Sequence, residues 1–107
     1  MSSDTLFTLS IEEAGGTMRA TAIGELDMLT EPELVTAFSA ALEHTTATAS
    51  VLDLRQVGFM DSSGLRALLR CRDNAESKGI AFCLAIDDGP VTRLLDVAGV
   101  KDWFAYG

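Results

Sequence analysis

The chain lacks most of the features that mark several common protein classes. Its 107 residues include two cysteines, two prolines and one histidine. Two cysteines are too few for a disulfide scaffold, and the separation of Cys71 and Cys83 is not that of metal ligands. No apolar run approaches the roughly 18 residues that a membrane-spanning helix needs. These absences argue against a disulfide-rich secreted domain, a metal site and an integral membrane protein.

Basic residues are also scarce. Eight lysines and arginines stand against sixteen aspartates and glutamates, which gives a net charge of −8. Such a chain repels a phosphate backbone, so we expect no binding to nucleic acid. The first ten residues carry no basic stretch ahead of an apolar core, which argues against a signal peptide and predicts a cytoplasmic location.

With 48% hydrophobic and 22% charged residues, the sequence is typical of a globular protein. Its length predicts one domain, residues 1–107, with a core that needs no disulfide or metal to stabilise it. Strand and helix patterns then alternate along the chain. Leu6 to Glu12 alternates apolar and polar residues, Gly15-Gly16 predicts a hairpin turn, and Met18 to Ile23 is a returning strand. A helix follows, with capping-box spacing between Thr30 and Glu33.

The second half continues the alternation. A helix is predicted from Ser62 to Lys78, and the apolar run Ile80 to Ile86 is typical of a strand covered on both faces. A third helix starts near Pro90, and the tail from Trp103 to Tyr106 is expected to form a short edge strand or a docked segment. The pattern predicts an α/β fold, with a mixed sheet of four to five strands and helices packed against it.

The stretch from Val51 to Leu69 carries the strongest functional signal. Its first residues, VLDL, predict a short buried strand; turn residues surround Gly58, and a helical pattern begins at Ser62. The join is Asp61-Ser62-Ser63-Gly64, so two hydroxyl groups lie where a helix exposes unpaired N–H groups and the positive end of its dipole. Either hydroxyl could hold or receive a phosphate there. This arrangement favours a switch over a catalyst.

Three segments, in this order, resemble the STAS domain family and within it the stand-alone bacterial anti-sigma factor antagonists. Gly24-Glu25-Leu26-Asp27 is similar to the family's G-x-L-D before the first helix. VLDLRQVGFMDSSGLRALL is similar to its strand, its Asp-Ser-Ser/Thr-Gly phosphorylation motif and the following helix. VTRLLDVAGV, residues 91–100, resembles its last helix and glycine cap. The likeness covers nearly the whole chain.

The resemblance implies a phosphorylation site and a set of partners. The phosphorylated position falls on Ser63, with Asp61, Ser62 and Gly64 as neighbours in the motif and Asp27 in the loop beside it. In the family, the unphosphorylated protein binds an anti-sigma factor that is a serine kinase, and this frees the sigma factor. The kinase then phosphorylates the serine and dissociates, and a phosphatase resets the cycle. ATP belongs to the partner, so we expect no cofactor in this chain.

The helix that follows Ser63 also suggests a binding face. Residues Arg66, Ala67, Arg70 and Asn74 lie along one line of this helix, outside its leucine stripe. We expect this line to contact the partner, with the two arginines meeting acidic groups. Nothing in the sequence requires more than a monomer.

Two other functions have weaker support in the sequence. An enzyme with a nucleophilic Ser62 or Ser63 needs a base, and the only histidine, His44, lies at the end of the first helix with no hydrolase elbow around either serine. The alternative within the family is an adaptor or regulatory subunit of a transporter or a larger signalling assembly. A redox role for Cys71 and Cys83 stays open.

Overall fold

The computed structural model describes residues 7–107, which form a five-stranded sheet and three α-helices. The elements are β1 (Thr8–Ala14), β2 (Thr17–Leu26), α1 (Glu31–His44), β3 (Ala49–Met60), α2 (Ser62–Ser77), β4 (Ala81–Ala85), α3 (Pro90–Ala98), a 3₁₀ turn (Lys101–Trp103) and β5 (Ala105–Tyr106). The strands lie in the order β1-β2-β3-β4-β5, with β1 antiparallel to β2 and the other pairs parallel. The predicted α/β fold, element order and mixed sheet are confirmed. Leu6, placed in the first strand by the sequence pattern, lies outside the described residues.

The opening hairpin turns at the two adjacent glycines. Gly15 and Gly16 have φ values of 60° and 81°, and the flanking residues Ala14 and Thr17 are paired across the turn. A two-residue hairpin of this kind needs positive φ at both central positions, which glycine adopts without a steric penalty. The predicted hairpin is therefore confirmed.

The core lies on one face of the sheet. Alternate residues of the strands join apolar residues of all three helices in one buried cluster; the strand members include Met18, Ala20, Leu52, Leu54, Phe82 and Leu84. The rings of Phe38 in α1 and Phe82 in β4 meet edge to face, with centroids 5.7 Å apart. Strand residues between these positions, such as Arg19 and Asp53, point to the opposite face because side chains alternate along a strand.

Strand β3 is longer than the sequence pattern predicted. We expected VLDL to be followed by a turn around Gly58, but the strand continues to Met60. Its second half pairs with β2 alone, through Ile23↔Gln56 to Leu26↔Met60, with two register shifts that insert extra residues into β3. Such bulges bend a strand and strengthen its twist. The polar residues and glycine of this segment therefore belong to a bulged two-stranded arm, and the predicted turn was wrong.

Two smaller predictions also need correction. Thr30 precedes α1, but its side chain makes no capping bond to the helix; its Oγ1 donates to the carbonyl of Glu25 at 2.6 Å instead. The predicted capping box with Glu33 was therefore wrong. Strand β4 is shorter than the apolar run, and Ala81 is exposed, so this strand is not covered on both faces along its length.

The two cysteines are free thiols in different environments. Cys71 is fully buried in the core, and this burial raises the pKa of its thiol to about 12. Cys83 lies between the core residues Phe82 and Leu84 in β4, so its side chain points to the other face of the sheet. This arrangement gives no support to a redox pair.

Asp53 in β3 forms the centre of an ion-paired cluster on the face opposite the core. The residue is 4% exposed, and its carboxylate accepts bonds from Arg55 Nε and Nη2 at 3.0 and 2.7 Å and from Arg19 Nη2 at 3.1 Å. These bonds, those from the Arg55 side chain above all, lower the pKa of Asp53 to about 2. The carboxylate is therefore held in its charged form by its two arginine partners.

This lowered pKa predicts acid sensitivity. Because the folded-state pKa lies below the unfolded value, the stabilisation is complete above about pH 4 and is lost as the pH falls toward about 2. The difference amounts to about 2 kcal/mol of unfolding free energy. We expect Asp53→Asn to lower the stability at pH 7, and the gap to the wild type to shrink in urea unfolding at pH 2.5. Asp73→Asn, at an exposed carboxylate, is the control; a gap for Asp53→Asn that is constant with pH would contradict the prediction.

Candidate functional site

The motif residues lie at the start of α2, directly after the end of β3. Asp61 has an extended backbone and caps the helix: its Oδ1 accepts the backbone N–H groups of Ser63 at 2.9 Å and Gly64 at 3.3 Å. Its own N–H donates to the carbonyl of Leu26, 3.2 Å away at the end of β2. The cap thus fixes the first turn of α2 against the end of β2.

Gly64 lets the helix approach this strand closely. A Cβ at this position would lie 2.9 Å from both the Cβ and the carbonyl oxygen of Leu26, and would also overlap Cγ of Met60. Carbon atoms in contact normally lie about 3.5–4.0 Å apart, so the space admits no side chain. Gly64 is therefore required by packing at this join.

The two serines of the motif differ in exposure. Ser62 is exposed, whereas Ser63 is only 9% exposed. The Oγ of Ser63 accepts a bond of 3.3 Å from Nη2 of Arg66, one turn further along α2. The sequence alone allowed either hydroxyl, and the structure separates them: Ser62 lies in solvent, while Ser63 lies against the body of the protein beside a cation.

Arg66 is already paired within the chain. Its Nε and Nη2 donate to the two carboxylate oxygens of Glu31, at 3.1 and 3.3 Å, and Glu31 is the first residue of α1. The hydrogen bond to Glu31, with its charge, raises the pKa of Arg66. The guanidinium therefore connects the first turns of α1 and α2, and it touches Ser63 at the same time.

Asp27 organises the loop that leads from β2 to α1. Its Oδ1 accepts the backbone N–H groups of Leu29 and Thr30, its own N–H donates to Oγ1 of Thr30, and its carbonyl accepts the N–H of Glu31. Both motif acids, Asp27 and Asp61, thus bind backbone N–H groups. This is what short acidic side chains do in loops and at helix starts.

The predicted partner line along α2 holds only in part. Arg66 and Arg70 are exposed, but Ala67 is fully buried, so the placement of Ala67 on an accessible face was wrong. The reason is that α2 packs on α1 as well as on the sheet, which widens the buried side of the helix beyond its leucines. Asn74 is half-buried between the helices, with its Nδ2 2.7 Å from Oγ of Ser39 in α1. Partner contacts by Arg66, Arg70 and Asn74 stay a prediction.

An exposed apolar pair beside the motif was not predicted from the sequence. Met28 and Leu29 are 72% and 74% exposed, in the loop that follows Leu26, whose carbonyl accepts the N–H of Asp61 at the start of α2. Exposed apolar groups that lie together often mark interaction sites. The signal was present in the sequence as two apolar residues between the polar turn residues Asp27 and Thr30.

The contacts at Ser63 do not favour nucleophilic catalysis. The bond to its Oγ comes from an arginine, which stays protonated and cannot accept a proton. His44 is the last residue of α1, at the opposite end of that helix from Glu31 and Arg66. Within residues 7–107, no group of three or more His, Cys, Asp or Glu side chains could hold a metal ion. Nor does any helix of this part combine the length and apolar character needed to cross a membrane.

The known proteins that this chain resembles, in sequence and in structure, agree with one another. A family model described as the STAS domain matches residues 8–106. The anti-sigma F factor antagonist of Paenibacillus polymyxa is 30% identical over 92 residues, which cover 86% of this chain and 79% of the relative. Among solved structures, an anti-sigma factor antagonist from Mycobacterium paratuberculosis is 28% identical, has a TM-score of 0.81, and aligns over 99% of this chain and 90% of its own.

The anti-sigma factor antagonist SpoIIAA shares the fold in two states. Its unphosphorylated form is 21% identical, with a TM-score of 0.73, and the alignment covers 94% of this chain and 88% of its own. The phosphorylated form of the Bacillus protein is 22% identical, with a TM-score of 0.65 and coverage of 94% and 91%.

Proposed function

This chain belongs to the STAS domain family, and we propose that it is an anti-sigma factor antagonist controlled by phosphorylation of Ser63. In this proposal the unphosphorylated form binds a kinase-type anti-sigma factor and so frees the sigma factor. The kinase transfers the terminal phosphoryl group of its own ATP to Oγ of Ser63, with release of ADP and the hydroxyl proton. A serine phosphatase then restores the binding form. The observation that carries the proposal is the serine of an Asp-Ser-Ser-Gly motif at the start of α2.

The surroundings of Ser63 are suited to contact with a protein. The β2–α1 loop offers the exposed side chains of Met28 and Leu29, and the first turns of α2 offer Ser62, Arg66 and Arg70. Protein interfaces commonly combine apolar contacts at the centre with polar groups around them, and methionine and arginine are enriched there. A partner resting on both elements would cover Ser63, which is the geometry that a phosphate-controlled interface requires.

The same proposal assigns this chain no catalysis, cofactor or nucleic-acid contact of its own. ATP and the phosphoryl-transfer machinery belong to the partner kinase. The antagonist acts as a substrate and a binding partner in the cytoplasm, as a monomer when free. An adaptor subunit of a transporter would use the same fold, but it would not need a hydroxyl at the position of Ser63.

Mass spectrometry would test the proposal directly. We expect incubation with the cognate anti-sigma kinase and ATP to add one phosphate to the wild-type protein, on the peptide that contains Ser63. Ser63→Ala should remain unmodified, while the matched variant Ser62→Ala should be phosphorylated as the wild type is. A phosphate on Ser62, or no phosphate from any anti-sigma kinase of the source organism, would count against the assignment. In the second case, co-purification with a transport protein would favour the adaptor role.

A further inference from the structure

The helix start beside Ser63 is less open to an anion than the sequence suggested. Two of the N–H groups that a phosphate could use, those of Ser63 and Gly64, already donate to Oδ1 of Asp61. This carboxylate also places a negative charge next to the modified hydroxyl. A phosphate on Ser63 therefore needs a cation more than it needs the helix dipole.

Arg66 is the cation in reach. Its Nη2 lies 3.3 Å from Oγ of Ser63, because Arg66 follows Ser63 by three residues on the same helical face. The oxygens of a phosphate on Ser63 would therefore lie next to the guanidinium. Arginine presents a planar fork of donors that matches phosphate, and such charge-assisted bonds are roughly twice as strong as neutral ones. In the unmodified protein the same donors, Nε and Nη2, are held by Glu31.

We propose that Arg66 is the intramolecular ligand of a phosphate on Ser63, and that it leaves Glu31 to bind this phosphate. The inference rests on the proposed function, because it concerns the modified state of that site. The exchange is favoured by charge: a phosphoserine carries about −1.5 to −2 at pH 7, whereas Glu31 carries −1. Glu31 keeps the positive end of the α1 dipole as a partial partner after the exchange.

The exchange would extend the effect of phosphorylation from α2 to α1 and the loop before it. The Glu31–Arg66 ion pair connects the first turn of α1 to the first turn of α2, and Glu31 also follows the loop that presents Met28 and Leu29. Loss of the pair removes this connection between α1 and α2. Phosphorylation would then change the surface at the β2–α1 loop as well as the charge at Ser63.

The phosphate itself reports whether Arg66 binds it. Phosphoserine is installed at position 63 during translation, and its second pKa, about 6 for the free group, is measured by a ³¹P NMR titration. A nearby guanidinium favours the dianion, so we expect the pKa in the wild type to lie about one pH unit below that in Arg66→Gln. Arg70→Gln, one turn further along the exposed face, should match the wild type. Equal pKa values for the wild type and Arg66→Gln would overturn the proposal, and thermal melting of both exposed-site variants confirms that they fold.

A second pair of variants tests the exchange with Glu31. Glu31→Gln removes the competing carboxylate and leaves Arg66 entirely to the phosphate, so the phosphate pKa should fall below that of the wild type. Glu33→Gln removes an equal charge from the same helical turn but from a side chain outside the Arg66 pair. If both variants gave the same phosphate pKa, the exchange would be refuted.

The two levels of proposal can fail separately. Because the phosphoserine is introduced without a kinase, the titration depends only on the geometry of Ser63, Arg66 and Glu31. A low phosphate pKa that needs Arg66, together with no phosphorylation by any anti-sigma kinase, would refute the proposed function and leave the phosphate ligand standing. Phosphorylation of Ser63 with a pKa indifferent to Arg66 would do the reverse.

Discussion

Phosphorylation of Ser63 is expected to weaken binding to the anti-sigma factor by about a hundredfold or more. Ser63 is almost covered by its own protein, so a partner that rests on the β2–α1 loop and α2 would enclose any phosphate placed there. Arg66 can neutralise only part of its charge, and Asp61 adds another negative group. Burying the remaining unpaired charge costs several kcal/mol, and about 3 kcal/mol already corresponds to a hundredfold in affinity.

Isothermal titration of the kinase with defined forms of the protein would measure this effect. The unmodified protein and Ser63→Ala should bind with similar affinity, and the form with phosphoserine at position 63 should bind at least a hundredfold more weakly. A phosphoserine at Ser77, the last residue of the same helix, is the matched control and should leave binding intact. A loss of affinity of less than threefold for the modified Ser63 would contradict the proposed switch.

The substitution Gly64→Ala is expected to destabilise the fold by about 3 kcal/mol. Alanine normally favours a helix over glycine by up to about 1 kcal/mol, but here its Cβ would lie 2.9 Å from the backbone oxygen of Leu26. The backbone cannot move aside as a flexible side chain can, so α2 must shift away from β2, which is an overpacking cost of about 1–3 kcal/mol or more. For a domain of this size, the midpoint of thermal unfolding should fall by at least about 10 °C.

Gly58→Ala provides the comparison for this prediction. Gly58 lies in β3, a few residues before the motif, and an added Cβ there would have no neighbour within 4 Å. Thermal or urea unfolding should therefore leave Gly58→Ala close to the wild type. If Gly64→Ala were as stable as Gly58→Ala, the close approach of α2 to Leu26 would not be a requirement of the fold. A shift of α2 would also move Ser63, so we expect slower phosphorylation of the Gly64 variant.

The order of elements could be predicted from the sequence because each element carries a local pattern. The paired glycines set the hairpin, and helical spacing of apolar residues set α1, α2 and α3. The limits of β3 could not be predicted in this way. Arg55, Gln56 and Gly58 form a typical turn sequence. What keeps this segment extended is the pairing of the residues from Gln56 to Met60 with the end of β2, more than thirty residues earlier. A non-local partner overrode the local preference.

In the candidate site, too, the features set by local sequence could be predicted and those set by distant residues could not. The motif Asp61 to Gly64 and its place at a helix start follow from short-range spacing, and the cap by Asp61 agrees with the preference of aspartate for that position. The Glu31–Arg66 pair joins residues 35 apart in the sequence, and no sequence pattern in either helix predicts this contact. Ala67 was misplaced for a related reason, since the side on which α1 would pack was not visible in the sequence of α2.

The two-stranded arm formed by β2 and the second half of β3 affects the local stability of the segment that precedes the motif. Beyond Asp53, β3 has lost its β4 partner, because that strand ends at Ala85. The segment that leads to Ser63 thus has a strand partner on one side only, β2, and Leu26 of that strand also binds the N–H of Asp61 at the helix start. Proteins open locally in segments that have few such contacts. The proposed switch therefore lies at the end of a segment that can open locally while the five-stranded part of the sheet stays closed.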